Sequence, residues 1–265
     1  MLRTRLATAA LALPALWLII EYLPDRLFAG FIGGVAAVGL HEYFTMAFSE
    51  APLERSTGIA CGLGVTAGVI SRRPELWGAG IAVAVLVGFV LTLVRHDDLS
   101  AAVGRSGLLV LGALYVGFFI PHVVLLRSVA DGWRWVLFTV YVAMGSDSGG
   151  YFAGRAWGRR KLMPAVSPSK TVEGAAGAVA GAIVIATLSR AVFFRALGAG
   201  EAAALAVVIS ALAQFGDLGE SALKRAFGAK DSGWIIPGHG GILDRLDSLL
   251  FPFVFAYYYA AFQRG

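Results

Sequence analysis

The chain has 265 residues, a mean hydropathy of +0.74 and a formal net charge of +5, with 58% apolar and only 15% charged residues. A water-soluble domain carries about a quarter of its residues charged, so composition excludes that class and points to an all-α, polytopic transmembrane helical bundle. The modest positive charge suits orientation in a bilayer, contact with membrane lipids and recognition of anionic small ligands, not a nucleic-acid footprint. Cys61 is the only cysteine, which excludes an intramolecular disulfide and a thiolate metal site.

Crossing a bilayer takes about 20 mostly apolar residues. On that measure about nine spans are expected, roughly at 5–22, 28–48, 57–71, 77–95, 106–127, 133–154, 173–194, 201–226 and 247–263. The first follows Arg3 and Arg5 and imitates a signal peptide. Its Ala7-Thr8-Ala9 lies too early for cleavage, so the segment reads as a retained helix. The third is short and rich in glycine. No linker, low-complexity tract or repeat interrupts the series. A single integral-membrane domain over 1–265 is therefore expected, with N-terminal helices over 1–130 and catalytic helices and cytoplasmic loops over 131–265.

Loop Lys and Arg residues, among them Arg3, Arg5, Arg55, Arg95, Arg105 and the groups near 155–170 and 224–245, gather on one side. That bias puts the N-terminus in the cytoplasm and the C-terminus outside. It also brings the loop after the sixth span and the loop after the eighth to the same face. The 34 glycines let helices approach closely and suit a homodimer. His41-Glu42 in the second span is expected to pack toward a polar cavity, where it could pair with a base. Trp77, Trp133, Trp135, Trp234 and Tyr257-Tyr258-Tyr259 fall at span ends and read as interfacial anchors. His122 after Pro121 marks a kinked helix.

Two polar clusters interrupt the apolar pattern. The first runs from Ser146-Asp147-Ser148-Gly149-Gly150-Tyr151 through Arg155 and Arg159-Arg160-Lys161 to Ser167-Pro168-Ser169-Lys170-Thr171. Asp147 and Tyr151 are one helical turn apart and share a face. Lys170 and Thr171 stand just before the next helix, where backbone N–H groups favour an anion. That pattern suits a phosphate seat, and equally a basic cytoplasmic loop with an ordinary turn and cap.

The second cluster lies between Gly216 and Ser248. Asp217, Glu220, Ser221 and Lys224 form one polar stripe on the cytoplasmic end of the eighth span. Ionisable residues at membrane depth are functional candidates, although Asp217 or Glu220 could simply pair with Lys224. Pro237-Gly238-His239-Gly240-Gly241 forms a glycine turn able to converge N–H groups on an anion. Asp244, Arg245 and Asp247 follow, the two carboxylates facing the same way. Carboxylates with few histidines and no thiolate suit a hard cation, and Mg²⁺ is expected. Lys224, Arg225, Lys230 and Arg245 then offset phosphate charge, a set suited to metal-assisted phosphoryl or nucleotidyl transfer.

The run Ser221-x-x-Lys224-Arg225-x₄-Lys230-Asp231-x-Gly233-x₃-Pro237-Gly238-His239-Gly240-Gly241-x-x-Asp244-Arg245-x-Asp247-Ser248 resembles the signature of the phosphatidate cytidylyltransferase (CDP-diacylglycerol synthase) family. The Asp147–Tyr151 and Ser167–Gly174 segments resemble it too, and Glu42-Tyr43 resembles a weaker family feature. Two positions depart from it: Ser169 stands where a second basic residue is usual, and Gly150 where an alanine is usual.

The resemblance implies transfer of a cytidylyl group from CTP to phosphatidic acid at the bacterial inner membrane, with the site facing the cytoplasm. It implies Asp217 and Asp244 as metal ligands, with room for K⁺ beside Mg²⁺. Asp217, Lys224, Arg225 and Asp244 are then the expected catalytic groups. Asp147, Ser167, Lys170, Thr171, Ser221, Lys230, Gly240, Gly241, Arg245 and Asp247 are the expected substrate contacts. His239 is either a cytosine or phosphate contact or a structural part of its turn. Two other classes compete. A CTP-dependent lipid-alcohol kinase would need a base for its alcohol. A transporter would favour an inverted repeat and helices broken at the midplane, neither of which the sequence displays.

Overall fold

The computed structural model describes residues 17–94, 98–233 and 240–264. The first expected span lies almost wholly outside them, as do Arg95, Trp234, Pro237, Gly238 and His239. After a helical stretch at 17–22, the described chain is almost entirely helical. Its elements are α1 (Asp25–Ala47), α2 (Pro52–Ile70), α3 (Pro74–Val94), α4 (Leu99–Gly112), a π-helical stretch (Ala113–Phe118), α5 (His122–Ser128), α6 (Gly132–Trp157), β1 (Lys161–Met163), β2 (Ser167–Thr171), α7 (Val172–Val192), α8 (Ala199–Ala226) and α9 (Leu243–Arg264).

Local sequence sets the breaks. Pro52 opens α2 in its first turn, where the missing N–H costs nothing. Arg72 adopts a left-handed φ of 60° between α2 and α3. The Asp98 carboxylate accepts from Ser100 N–H at 3.1 Å and caps α4. Pro121 precedes α5, so the break expected at His122 is present. Gly228, with φ of 68°, follows the end of α8.

Among the described residues, five stretches are long and apolar enough to cross a membrane: α1, α3, the continuous Leu99–Ser128 stretch, α7 and α8. α3 is the barest of them, with Leu86, Phe89 and Leu93 exposed, as a lipid-facing helix would be. Most of the bundle interior is one apolar cluster to which Leu40 (α1), Val116 (π stretch), Leu137 (α6), Ile209 (α8) and Leu250 (α9) all contribute, with a smaller one at Val65, Val69 and Leu125.

Two close approaches place the polar end of the bundle. α6 and α7 cross backbone to backbone: a Cβ at Gly149 would strike the Gly177 carbonyl, and one at Gly181 the Gly145 carbonyl. At the α8–α9 crossing a Cβ at Gly216 would strike the Asp247 carbonyl. Between α6 and α7 the chain makes an antiparallel hairpin pairing Lys161 with Thr171 and Met163 with Ser167. That hairpin returns Lys170 over the end of the bundle.

Overpacking a tight contact costs about 1–3 kcal/mol. Gly149→Val should lower the melting temperature in detergent accordingly. Gly104→Ala, where nothing lies within 4 Å, should leave it unchanged or raise it.

Candidate active site

The two polar clusters meet at one end of the bundle. Lys170, carried in by β2, pairs with Asp217 Oδ2 on α8 at 2.6 Å. Ser248 on α9 donates to Asp147 Oδ2 on α6 at 3.2 Å. Ser146 on α6 shares a 2.8 Å hydrogen bond with Ser210 on α8, and both are fully buried. A cavity of about 400 Å³ opens among these elements, lined in part by Asp147, Gly150, Tyr151, Arg155, Lys170 and Asp217. That volume falls within the range of about 300–1,000 Å³ typical of small-ligand sites. A second cavity, about 550 Å³ between Trp17 and the outer parts of α6 and α7, is lined without any charged side chain.

Two turns further along α8, in its last turn, Lys224 bridges two carboxylates. Its ammonium donates to Glu220 Oε2 at 3.0 Å and to Asp244 Oδ1 at 2.5 Å. Glu220 is 1% exposed, so its charge depends on that lysine. Asp244 Oδ2 accepts from Gly241 N–H (2.8 Å), Ser232 N–H (3.0 Å) and the Ser232 hydroxyl (3.0 Å). Gly240, with φ of 79°, turns the chain into this arrangement, and a Cβ there would meet Asp244. Asp247 lies within electrostatic reach of both Glu220 and Asp217, and Asp147 within reach of Asp247 and Asp217.

The expected residues divide into three groups. Asp147, Lys170, Asp217, Ser221, Lys224, Gly240, Gly241, Asp244 and Asp247 converge, with Ser221 Oγ 3.5 Å from Asp217 Oδ1. Arg225, Lys230 and Arg245 are exposed at the same end of the chain's polar region, where Arg225 and Lys230 form no ion pair among the described residues. Ser167 and Thr171 stand in the hairpin and at the start of α7. Ser167 pairs with Met163 in the hairpin and does not line the cavity. Thr171 lines it but caps α7, its Oγ1 accepting from Gly174 N–H at 3.1 Å.

The start of α7 is further occupied by Glu173, which accepts from Arg159 N–H at 2.9 Å. Of the two readings the sequence left open, the Thr171 turn is thus a cap, while Lys170 points to the acidic centre. His239 lies outside the described residues. Asp217 pairs with Lys170, and the lysine in its own stripe goes to Glu220 instead.

Three groups at the site carried no separate signal in the sequence. Ser232 is buried within the signature at a position where its spacing placed no chemistry. Tyr115 sits in the π-helical stretch with a buried hydroxyl, within electrostatic reach of Glu220, Asp247 and Asp217. π-helical turns are frequent at functional sites, but an apolar run hides one from a reading by pattern. Gln214, one turn before Asp217 on α8, donates to the Ser210 carbonyl and lines the cavity.

Five carboxylates, Asp147, Asp217, Glu220, Asp244 and Asp247, therefore face two ammonium groups, Lys170 and Lys224. Among the described residues no three Asp, Glu, His or Cys side chains are set to enclose a metal by themselves. Hard oxygen donors in excess over ammonium groups fit a Mg²⁺ ion, which takes one or two carboxylates and completes its shell with water and phosphate.

Removing one partner from a buried ion pair costs about 3–5 kcal/mol. Lys224→Met should lower the melting temperature sharply, and adding Glu220→Gln should restore part of the loss.

A profile of the cytidylyltransferase family matches residues 3–263 of the chain. A phosphatidate cytidylyltransferase of Bacillus subtilis (strain 168) is 42% identical over 156 residues, 58% of this chain and 58% of the relative. One of Brucella suis biovar 1 (strain 1330) is 42% identical over 155 residues, 57% of this chain and 56% of the relative. These two alignments span less than two thirds of either relative. One of Staphylococcus haemolyticus (strain JCSC1435) is 30% identical over 258 residues, 94% of this chain and 95% of the relative.

Proposed function

From the premise that this chain belongs to the cytidylyltransferase family, we propose that it transfers the cytidylyl group of CTP to phosphatidic acid. The products are CDP-diacylglycerol and pyrophosphate, and the setting is phospholipid biosynthesis. The observation that carries the reading is a cavity walled in part by Asp147, Asp217, Lys170 and Arg155, with Lys170 paired to Asp217, at one end of an otherwise apolar bundle. The resemblance to relatives named phosphatidate cytidylyltransferase supports the same substrates.

In the reaction a phosphate oxygen of phosphatidic acid attacks the α-phosphorus of CTP, and the bond to the β-phosphate breaks. The lipid phosphate is already anionic near neutral pH, so no side chain has to remove a proton from it. The protein's task is to hold two polyanions in line and offset their repulsion. Lys170 and Lys224 are placed for that, with Arg225, Lys230 and Arg245 exposed nearby as further phosphate contacts. Mg²⁺, if held by the acidic side chains here, would supply charge stabilisation for the phosphates and the leaving pyrophosphate.

Asp217 and Asp244 are the carboxylates proposed to hold that ion, with K⁺ as a companion. Asp244 Oδ2 already takes three hydrogen bonds and Oδ1 the Lys224 ammonium. Asp217 Oδ2 likewise takes the Lys170 ammonium, so each of the two carboxylates that would hold the ion stands beside a lysine able to offset phosphate charge. We further place the protein in the bacterial inner membrane with nine spans, a cytoplasmic N-terminus and the site open to the cytoplasm. Gly150 leaves the cavity wall slightly wider than an alanine would, since a Cβ there would stand 3.4 Å from Ala178.

The deciding experiment incubates purified protein with labelled CTP, Mg²⁺ and either phosphatidic acid or a lipid alcohol. CDP-diacylglycerol and pyrophosphate should form from phosphatidic acid. Transfer of the γ-phosphoryl to the alcohol would overturn the reading. Asp244→Asn should abolish turnover while the protein remains folded in detergent. Lys170→Ala should raise the KM for CTP and leave membrane insertion intact; unchanged kinetics would make its loop purely topological.

A further inference from the structure

Glu42 lies on α1, some 190 residues before the signature it touches, and is 3% exposed. Its Oε1 accepts from the backbone N–H of Ile242 at 2.9 Å. Its Oε2 accepts from Leu243 N–H at 3.0 Å and from the Ser232 hydroxyl at 3.2 Å. The backbone is shaped around this carboxylate. A Cβ at Gly233 would fall 2.5 Å from Oε1, and one at Gly241 would fall 2.6 Å from Oε2. The sequence suggested that Glu42 pairs with a base. Among the described residues its partners are instead neutral N–H and O–H donors at the start of α9.

Those donors connect Glu42 to the acidic centre. The Ser232 hydroxyl stands 3.2 Å from Glu42 and 3.0 Å from Asp244 Oδ2, and it accepts from Asp244 N–H at 3.3 Å. One hydroxyl proton therefore serves two carboxylates. Gly241 donates to Asp244 while its neighbours Ile242 and Leu243 donate to Glu42. The first turn of α9 is held between the two acids. A carboxylate suits that place because the leading N–H groups of a helix lack intrahelical acceptors.

We propose that Glu42 is a positioning residue for this site: it clamps the first turn of α9 and, through Ser232, fixes the carboxylate of Asp244 toward Lys224. Glu42 itself is buried and contacts no substrate. Its influence passes through Asp244, as partners behind a catalytic ligand commonly act. The catalytic part of this proposal rests on the cytidylyltransferase reading; the clamp rests on geometry alone.

The test compares wild type, Glu42→Gln, Glu42→Asp, Ser232→Ala and the Glu42→Gln/Ser232→Ala pair. It uses hydrogen–deuterium exchange of the peptide over 240–248 and steady-state kinetics with CTP and phosphatidic acid. Glu42→Gln should speed exchange at Ile242 and Leu243 and lower kcat by about 10–100-fold, with the KM for CTP within about twofold. Glu42→Asp, which keeps the charge, should recover part of both. The double variant should lose little more than the worse single one, because the two residues act along one path. Wild-type exchange and kcat in Glu42→Gln would overturn the proposal, as would a kcat loss with exchange unchanged. Multiplying losses in the double variant would also overturn it. Wild-type protein that forms no CDP-diacylglycerol would remove the functional reading, and the exchange arm would then decide the clamp alone.

Discussion

The placement of one carboxylate, that of Asp244, governs the polar end of this bundle. Four residues hold it, directly or at one remove. Lys224 reaches it from α8, Ser232 and Gly241 bind it from either side of the signature turn, and Glu42 supports it from α1 through Ser232. Interaction in a low dielectric is strong in both directions: a fully partnered network is rigid, and a missing partner is costly. The arrangement therefore joins the N-terminal and C-terminal parts of the chain through charge and hydrogen bonds as well as through apolar packing.

Crowding of carboxyl groups is the second constraint. Asp147, Asp217, Glu220 and Asp247 come from α6, α8 and α9, and their mutual reach is set by helix crossings that only glycine permits. Gly149 and Gly181 bring α6 onto α7, which anchors the hairpin that delivers Lys170 to Asp217. Gly216 brings α9 onto α8 and so sets Asp247 beside Glu220. Backbone proximity thus becomes electrostatic proximity. In a polytopic protein the same small residues serve packing and chemistry at once.

The two lysines have a part in this balance. Each is paired with one of the carboxylates, Lys170 with Asp217 and Lys224 with Asp244. Such pairing keeps buried acids compensated before substrate arrives.

The sequence alone determined that the chain is helical and apolar, where most helices run, and which residue types gather near its second polar cluster. Hydropathy and turn chemistry are local properties, and after the first span each expected segment falls on helix, the one at 106–127 divided among α4, the π-helical stretch and α5. The signature spacing likewise named Lys224, Gly241 and Asp244 before their contacts were visible. Pairing was not legible. That Asp217 meets Lys170 while Lys224 meets Glu220, that Ser167 and Thr171 are spent on the hairpin and cap, and that Tyr115 approaches the acids all depend on helices distant in sequence. Glu42 shows why: nothing near it on α1 reveals that its acceptors meet N–H groups about 200 residues later. Only tertiary packing decides which buried charge finds which partner, because that choice is made by distance through space and not along the chain.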